Sequence, residues 1–122
     1  MAFSIGYSPL GVIESDSVLC ICEGWATAAS LHQHGYVVAA AMNAGNLIAA
    51  AMGLRARYPD QPIVIAGDDD RLTDGNPGRA AANAAAAAVG GQVAFPEWPE
   101  GTPDDLTDFN DLANWKLTHV QA

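Results

Sequence analysis

From residue 18 onward the chain alternates short apolar runs with helical stretches, and this alternation most restricts what it can fold into. Val18-Leu19-Cys20-Ile21-Cys22 is a continuous apolar run, the pattern of a strand covered on both faces. Gly24 opens a helical stretch from Trp25 to about His34, stopped by Gly35. A second apolar run, Tyr36 to Met42, leads into Asn43-Ala44-Gly45-Asn46, a turn with capping chemistry, and then a helix from about Asn46 to Arg57. Pro59 and Pro62 bracket a turn before Ile63-Val64-Ile65-Ala66, the clearest strand in the chain. Asp68 to Gly78 is a polar loop, and Arg79 to Val89 is nearly all alanine, closed by Gly90-Gly91. Short alanine side chains let such a helix lie close on a sheet. Gln92 to Phe95 reads as a fourth strand, and a proline-rich loop leads to a last helix from Phe109 to about Lys116. Strand and helix in repetition predict an α/β fold, a central parallel sheet of about four strands with helices on both faces. Residues 1–17 fit this rhythm poorly. Phe3, Ile5 and Tyr7 suggest an extended segment and Pro9 to Gly11 a turn, together an edge hairpin preceding the main domain at 18–122.

Composition narrows the function classes. At 122 residues there is room for one domain, and 14 Asp+Glu against 5 Lys+Arg give a formal charge of −9. So few cations exclude DNA binding that works mainly by neutralising phosphates, and no basic cluster suits an anionic membrane. No apolar run approaches the roughly 20 residues of a membrane helix, and the start lacks a basic-then-apolar signal pattern. Cys20 and Cys22 are too close to staple a loop and too few to hold zinc, so they read as small hydrophobes on a buried strand. These features predict a soluble, cytoplasmic, acidic domain with no membrane partner.

Ligand sites in open parallel sheets form at the carboxyl ends of the strands. The first predicted strand ends in Glu23-Gly24, the third in Gly67-Asp68-Asp69-Asp70, and Asp108-Phe109-Asn110-Asp111 follows the fourth. All three acidic groups therefore fall on one edge of the sheet. Alternation along an extended backbone lets Asp68 and Asp70 point together while Asp69 points elsewhere. Carboxylates gathered in this way need a cation, and Mg²⁺, a hard ion that also takes substrate phosphates, answers that need. Placement alone thus predicts a Mg²⁺-dependent phosphate-chemistry site. The competing reading is of solvated loop acids, with Asp108 capping the last helix.

The ordered set of Glu23-Gly24, Asp68-x-Asp70 and Asp108-Phe109-Asn110-Asp111, each following a strand, resembles a Toprim domain. This Rossmann-like catalytic module is shared by DnaG-type primases, topoisomerases and some nucleases. Cys22-Glu23-Gly24-Trp25-Ala26-Thr27-Ala28 is similar to the variants in plasmid and phage primase-helicase proteins, and the likeness covers about residues 16–115. It implies Glu23 as general acid or base and Asp68, Asp70 and Asp108 as holders of Mg²⁺, with Mn²⁺ as a substitute. Gly24, Asp69 and Asp111 would support the site. The family's usual glycine after Asp-x-Asp corresponds to Gly75 or Gly78. Where such proteins often carry a lysine before the last motif, Thr107 stands here. The resemblance further implies a DNA primase fragment, making RNA primers from nucleoside triphosphates on single-stranded DNA. A zinc-binding domain or helicase would lie elsewhere in the parent chain, and this piece alone would be inactive. A Toprim nuclease, a topoisomerase-type enzyme and a non-catalytic adaptor are the other readings.

The remaining polar residues admit two readings each. Arg71 and Arg79 flank the acidic loop and either touch triphosphate or template or are solvated. Asn46, with Asn43, caps a helix or offers amides to phosphate. Trp98 and Trp115 pack, or stack on a base. His32 and His34 are two apart at a helix end, a spacing that does not put them on one face. An Asp-x-Asp-x-Thr phosphotransfer hydrolase would need threonine where Leu72 stands. A phospho-receiver would need a lysine after a late strand, and the single lysine is Lys116.

Overall fold

The alternating side chains of the apolar runs build two separate cores in the computed structural model, which describes residues 8–10, 17–42 and 44–119. Strands β1 (Ser8–Leu10), β2 (Leu19–Cys22), β3 (Val37–Ala40), β4 (Ile63–Ala66) and β5 (Gln92–Ala94) form one sheet in the order β1-β3-β2-β4-β5. The strands from β2 to β5 run parallel, and β1 lies antiparallel along β3 with Pro9 opposite Ala39. Helices α1 (Trp25–Gln33), α2 (Leu47–Arg57), α3 (Pro77–Val89) and α4 (Phe109–His119) complete the fold. Leu19, Ile21, Ile63 and Ile65 meet Leu47 and Leu54 of α2 and Ala82 and Ala85 of α3 on one face. Cys20, Cys22, Val38 and Ala66 meet Ala28 of α1 on the other, with Leu31 of α1 and Phe109 of α4 packed against them. Both cysteines are free and buried. Burial, joined by the charges of Asp68, Cys20 and Asp108, pushes the Cys22 thiol up to about 12, which leaves no thiolate for nucleophilic work.

The alanine-rich segment does lie close on the sheet. Ala82, Ala85, Ala86 and Val89 are buried at helical spacing. A Cβ on Gly67 would overlap the Phe95 ring and stand 2.6 Å from the Ala82 Cβ, so glycine is what lets helix, strand and ring meet. The helix starts at Pro77, two residues before the sequence-based start at Arg79. Asn76 caps it by accepting from the Arg79 N–H at 3.2 Å, and proline fits the first helical position because its missing N–H would have no partner there.

Two expectations need correction. Pro9 and Leu10 lie in a strand rather than a turn, at the sheet edge where a residue without an N–H is tolerated. The hairpin's other parts, Phe3, Ile5, Tyr7 and Gly11, fall outside the described residues. Asn46 does not cap α2 with its side chain. It ends a single 3₁₀ turn, Ala44–Asn46, and donates its amide back to the Ala41 carbonyl at 3.2 Å. Asn43 lies outside the described residues. Among those described, no helix is long and apolar enough to cross a membrane.

The strand order positions the site. The chain leaves β2 toward β3 on one side, and leaves β4 toward β5 on the other. The crevice where connections diverge therefore lies between the carboxyl ends of β2 and β4.

Candidate active site

Cys22 pairs with Ala66 across β2 and β4, so Glu23 and Asp68 emerge from neighbouring central strands within one residue of the same level. Their carboxyl groups meet in a hydrogen bond. Burial, the Glu23 and Asp108 charges, that hydrogen bond and the Asp70 charge together push Asp68 up to about 7. Asp108 reaches the same crevice from the start of α4, and burial raises it as well. The Asp111 charge adds to that rise, while the Asp111 and Asn110 N–H groups and the Thr27 hydroxyl oppose it by donating to the Asp108 carboxylate. Thr27 sits buried on α1, four residues after Glu23, and its position inside the Glu-Gly motif was the sequence signal for it. Gly24 begins α1 with an extended backbone, and its carbonyl accepts the Ala28 N–H at 3.1 Å.

The three consecutive aspartates point three ways. Asp68 faces Glu23. Asp70 turns toward α3, where its Oδ2 accepts the Gly78 N–H at 2.7 Å and lies at the positive end of the helix dipole. Asp69 is buried and takes three donors: Arg79 Nε at 2.9 Å, Asn76 Nδ2 at 2.7 Å and Trp98 Nε1 at 2.9 Å. Burial opposes its charge, yet these hydrogen bonds and the Arg79 charge hold it below the usual carboxylate range.

Of the two candidate glycines, Gly78 is the one at the site. A Cβ there would stand 2.7 Å from the Asp68 carbonyl oxygen and 2.8 Å from Asp70 Oδ2, whereas one on Gly75 would meet nothing within 4 Å. Asp108 and Asp111 cap α4 reciprocally. Asp108 Oδ1 accepts the Asp111 N–H at 2.8 Å, and Asp111 Oδ2 accepts the Thr107 N–H at 2.9 Å. The capping reading of Asp108 thus holds together with its place in the crevice, while Asp111 is occupied by the cap.

Both arginines have partners within the chain. Arg79 pairs with Asp69 and lies over the Phe95 ring at 4.1 Å. Arg71 donates to the Pro103 and Leu106 carbonyls at 2.9 and 3.3 Å, and lies 4.5 Å over the Trp98 ring. Trp98 is committed to Asp69 and Arg71, and Trp115 stacks on His119 with centroids 4.5 Å apart. His32 and His34 bond the Tyr36 and Ser30 carbonyls, ordinary helix-end contacts. The sequence reading missed Asn76, whose position before Pro77 is a cap signal, and Trp98 as a partner of Asp69, for which no local signal exists.

The acids brought together here offer carboxylate oxygens, and the Glu23, Asp108 and Asp70 charges that add to the effect of burial on Asp68 are what a hard divalent cation would relieve. That donor chemistry fits Mg²⁺, which is commonly held by one or two carboxylates together with waters and substrate phosphates. Among the described residues, no three His, Cys, Asp or Glu side chains form a ready cage for an ion.

A Toprim domain model matches residues 18–118. Two Escherichia coli proteins, each called DNA primase TraC, are similar to the chain. One is 47% identical over 98 residues, covering 74% of this chain and 7% of that protein. The other is 51% identical over 88 residues, covering 68% of this chain and 8% of that protein. The chain thus spans less than a tenth of the length of these relatives. No solved structure matches it.

Proposed function

The chain belongs to the Toprim family, and from that premise we propose that it is the nucleotidyl-transfer module of a DNA primase. Its reaction would make RNA primers on single-stranded DNA from nucleoside triphosphates. The observation that carries this reading is the pairing of Glu23 with a charge-frustrated Asp68 at the ends of adjacent central strands. The similarity to two DNA primases supports the same class of chemistry.

In this reading Glu23 accepts the proton of the primer 3′-hydroxyl as its oxygen attacks the α-phosphorus and pyrophosphate leaves. Asp68 would hold the divalent ion, with Asp108 and the free oxygen of Asp70 as the adjoining donors. Mg²⁺, or Mn²⁺ in its place, would neutralise charge on the transferring phosphoryl group. Thr27 keeps the Asp108 carboxylate oriented, and Gly78 leaves room for the Asp68 carbonyl and the Asp70 carboxylate. Template binding and the zinc-binding or helicase functions belong to other parts of a longer parent protein.

Calorimetry with MnCl₂ and MgCl₂ on the wild-type chain and on Asp68→Ala/Asp70→Ala tests the metal premise. We expect wild-type binding and its loss in the double variant. Equal binding by both would overturn the assignment.

A further inference from the structure

We propose that Asp69 is the positioning residue of this site, the shared anchor that sets the spacing of the Asp68, Asp70 and Asp108 carboxylates. The inference rests on the metal-site reading above and adds to it a residue that would touch neither metal nor substrate. Three chain segments around those carboxylates are tied to Asp69. Its N–H donates to the Thr107 carbonyl at 2.6 Å, fixing the residue immediately before Asp108. Its Oδ1 accepts from Asn76, whose own Oδ1 accepts the Asp70 N–H at 2.7 Å and the Arg79 N–H at 3.2 Å. That locks the Asp70 backbone to the start of α3. Its Oδ2 accepts from Trp98, whose ring carries Arg71, and Arg71 in turn holds the Pro103 and Leu106 carbonyls. The whole loop between β5 and α4 is therefore gathered onto one carboxylate.

This carboxylate is nearly sealed from water, with a side chain 5% exposed against 45% for Arg79. Neither oxygen is left without a donor. A buried, fully bonded carboxylate holds direction far better than a solvated one, because every displacement breaks a charge-assisted bond. Glycine or alanine at this position would keep the backbone bond to Thr107 but lose the carboxylate that gathers Asn76, Arg79 and Trp98.

Mn²⁺ titration of the 122-residue chain, with thermal unfolding recorded alongside, tests this. Asp69→Asn keeps the side-chain shape but loses the charge and one acceptor. We expect Mn²⁺ affinity to fall about 10- to 100-fold, the usual consequence of removing a group that orients metal ligands. Trp98→Phe keeps the ring under Arg71 and deletes only the Nε1 donor, and should give a smaller loss in the same direction. Leu54→Ala, near the end of α2 that leads back to the start of β4 and so away from the strands' carboxyl ends, should lower the unfolding temperature while leaving Mn²⁺ affinity within about twofold. If Asp69→Asn lowers the unfolding temperature but binds Mn²⁺ as the wild type does, the residue is structural only and the inference is overturned. Should Asp69→Asn fail to fold, unchanged affinity in Trp98→Phe overturns it equally. A wild-type chain that binds no Mn²⁺ removes the metal-site reading itself, before any variant is compared, and the inference with it.

Discussion

Asp68 and Asp69 are adjacent in the chain and opposite in electrostatics. Asp68, raised to about 7 by burial and by Glu23, Asp108 and Asp70, favours folding in its protonated form. Its contribution to stability is therefore complete below its ordinary value of 3.8 and is lost as pH rises through about 7. Asp108, also raised, acts in the same direction. Asp69 has the reverse sign: its contribution is present above 3.8 and is lost as pH falls through its depressed value. We expect the metal-free chain to lose thermal stability steadily between about pH 4 and 7 on account of Asp68. Unfolding temperatures of wild type and Asp68→Asn across that range check this. The variant's profile should be flatter, and parallel profiles would refute the assignment. Saturating Mg²⁺ should raise the neutral-pH unfolding temperature of the wild type alone, because binding only the folded state stabilises it. At this scale the two-residue spacing of Asp68 and Asp70 was legible in the sequence, whereas their turning apart, Asp68 toward Glu23 and Asp70 toward the Gly78 N–H, was not. Which donors each aspartate would meet was not legible, because Trp98 lies 29 positions from Asp69.

The elements were largely readable, because apolar runs, glycine stops and alanine content are local. The errors fall at ends, where a cap or a pairing partner decides. Asn76 moved the start of α3, and the β3 edge drew Pro9 into a strand. Helix α3 offers the sharpest test of close packing. Ala85 is fully buried against the sheet and Ala87 is exposed. Ala85→Leu should cost about 1–3 kcal/mol by overpacking, while Ala87→Leu should stay within about 0.5 kcal/mol of wild type. Denaturant unfolding of the two variants measures the difference, and equal costs would mean that α3 does not sit tightly on β4. Gly78→Ala belongs with Ala85→Leu. Its new Cβ would press on the Asp68 carbonyl, a backbone atom that cannot rotate away, so stability and Mn²⁺ affinity should fall together.

For the molecule as a whole, the formal charge of −9 is unevenly used. Asp69 is paired with Arg79 and Asp111 is spent on a helix cap, which leaves Glu23, Asp68, Asp70 and Asp108 as the acids gathered at the strand ends. Three of the five cations are likewise committed. Arg55 bonds the Val89, Tyr58, Pro59 and Gln61 carbonyls, Arg71 holds the loop before α4, and Arg79 holds Asp69. This arrangement leaves little positive surface for a template. The chain alone should therefore bind single-stranded oligonucleotides weakly, with a shallow dependence on salt, and make no primers from nucleoside triphosphates. Fluorescence anisotropy at several salt concentrations and a primer-synthesis assay check this, and robust priming would refute it. What the sequence determined by itself was the α/β class, the strand-helix order and the gathering of acids at strand ends, because periodicity and turn chemistry act over a few residues. What only the tertiary structure decided was that β2 and β4 are neighbours and that Asp69 collects Asn76, Arg79 and Trp98. Strand order and long-range hydrogen bonds depend on how distant segments share the two faces of one sheet, and no local pattern encodes that.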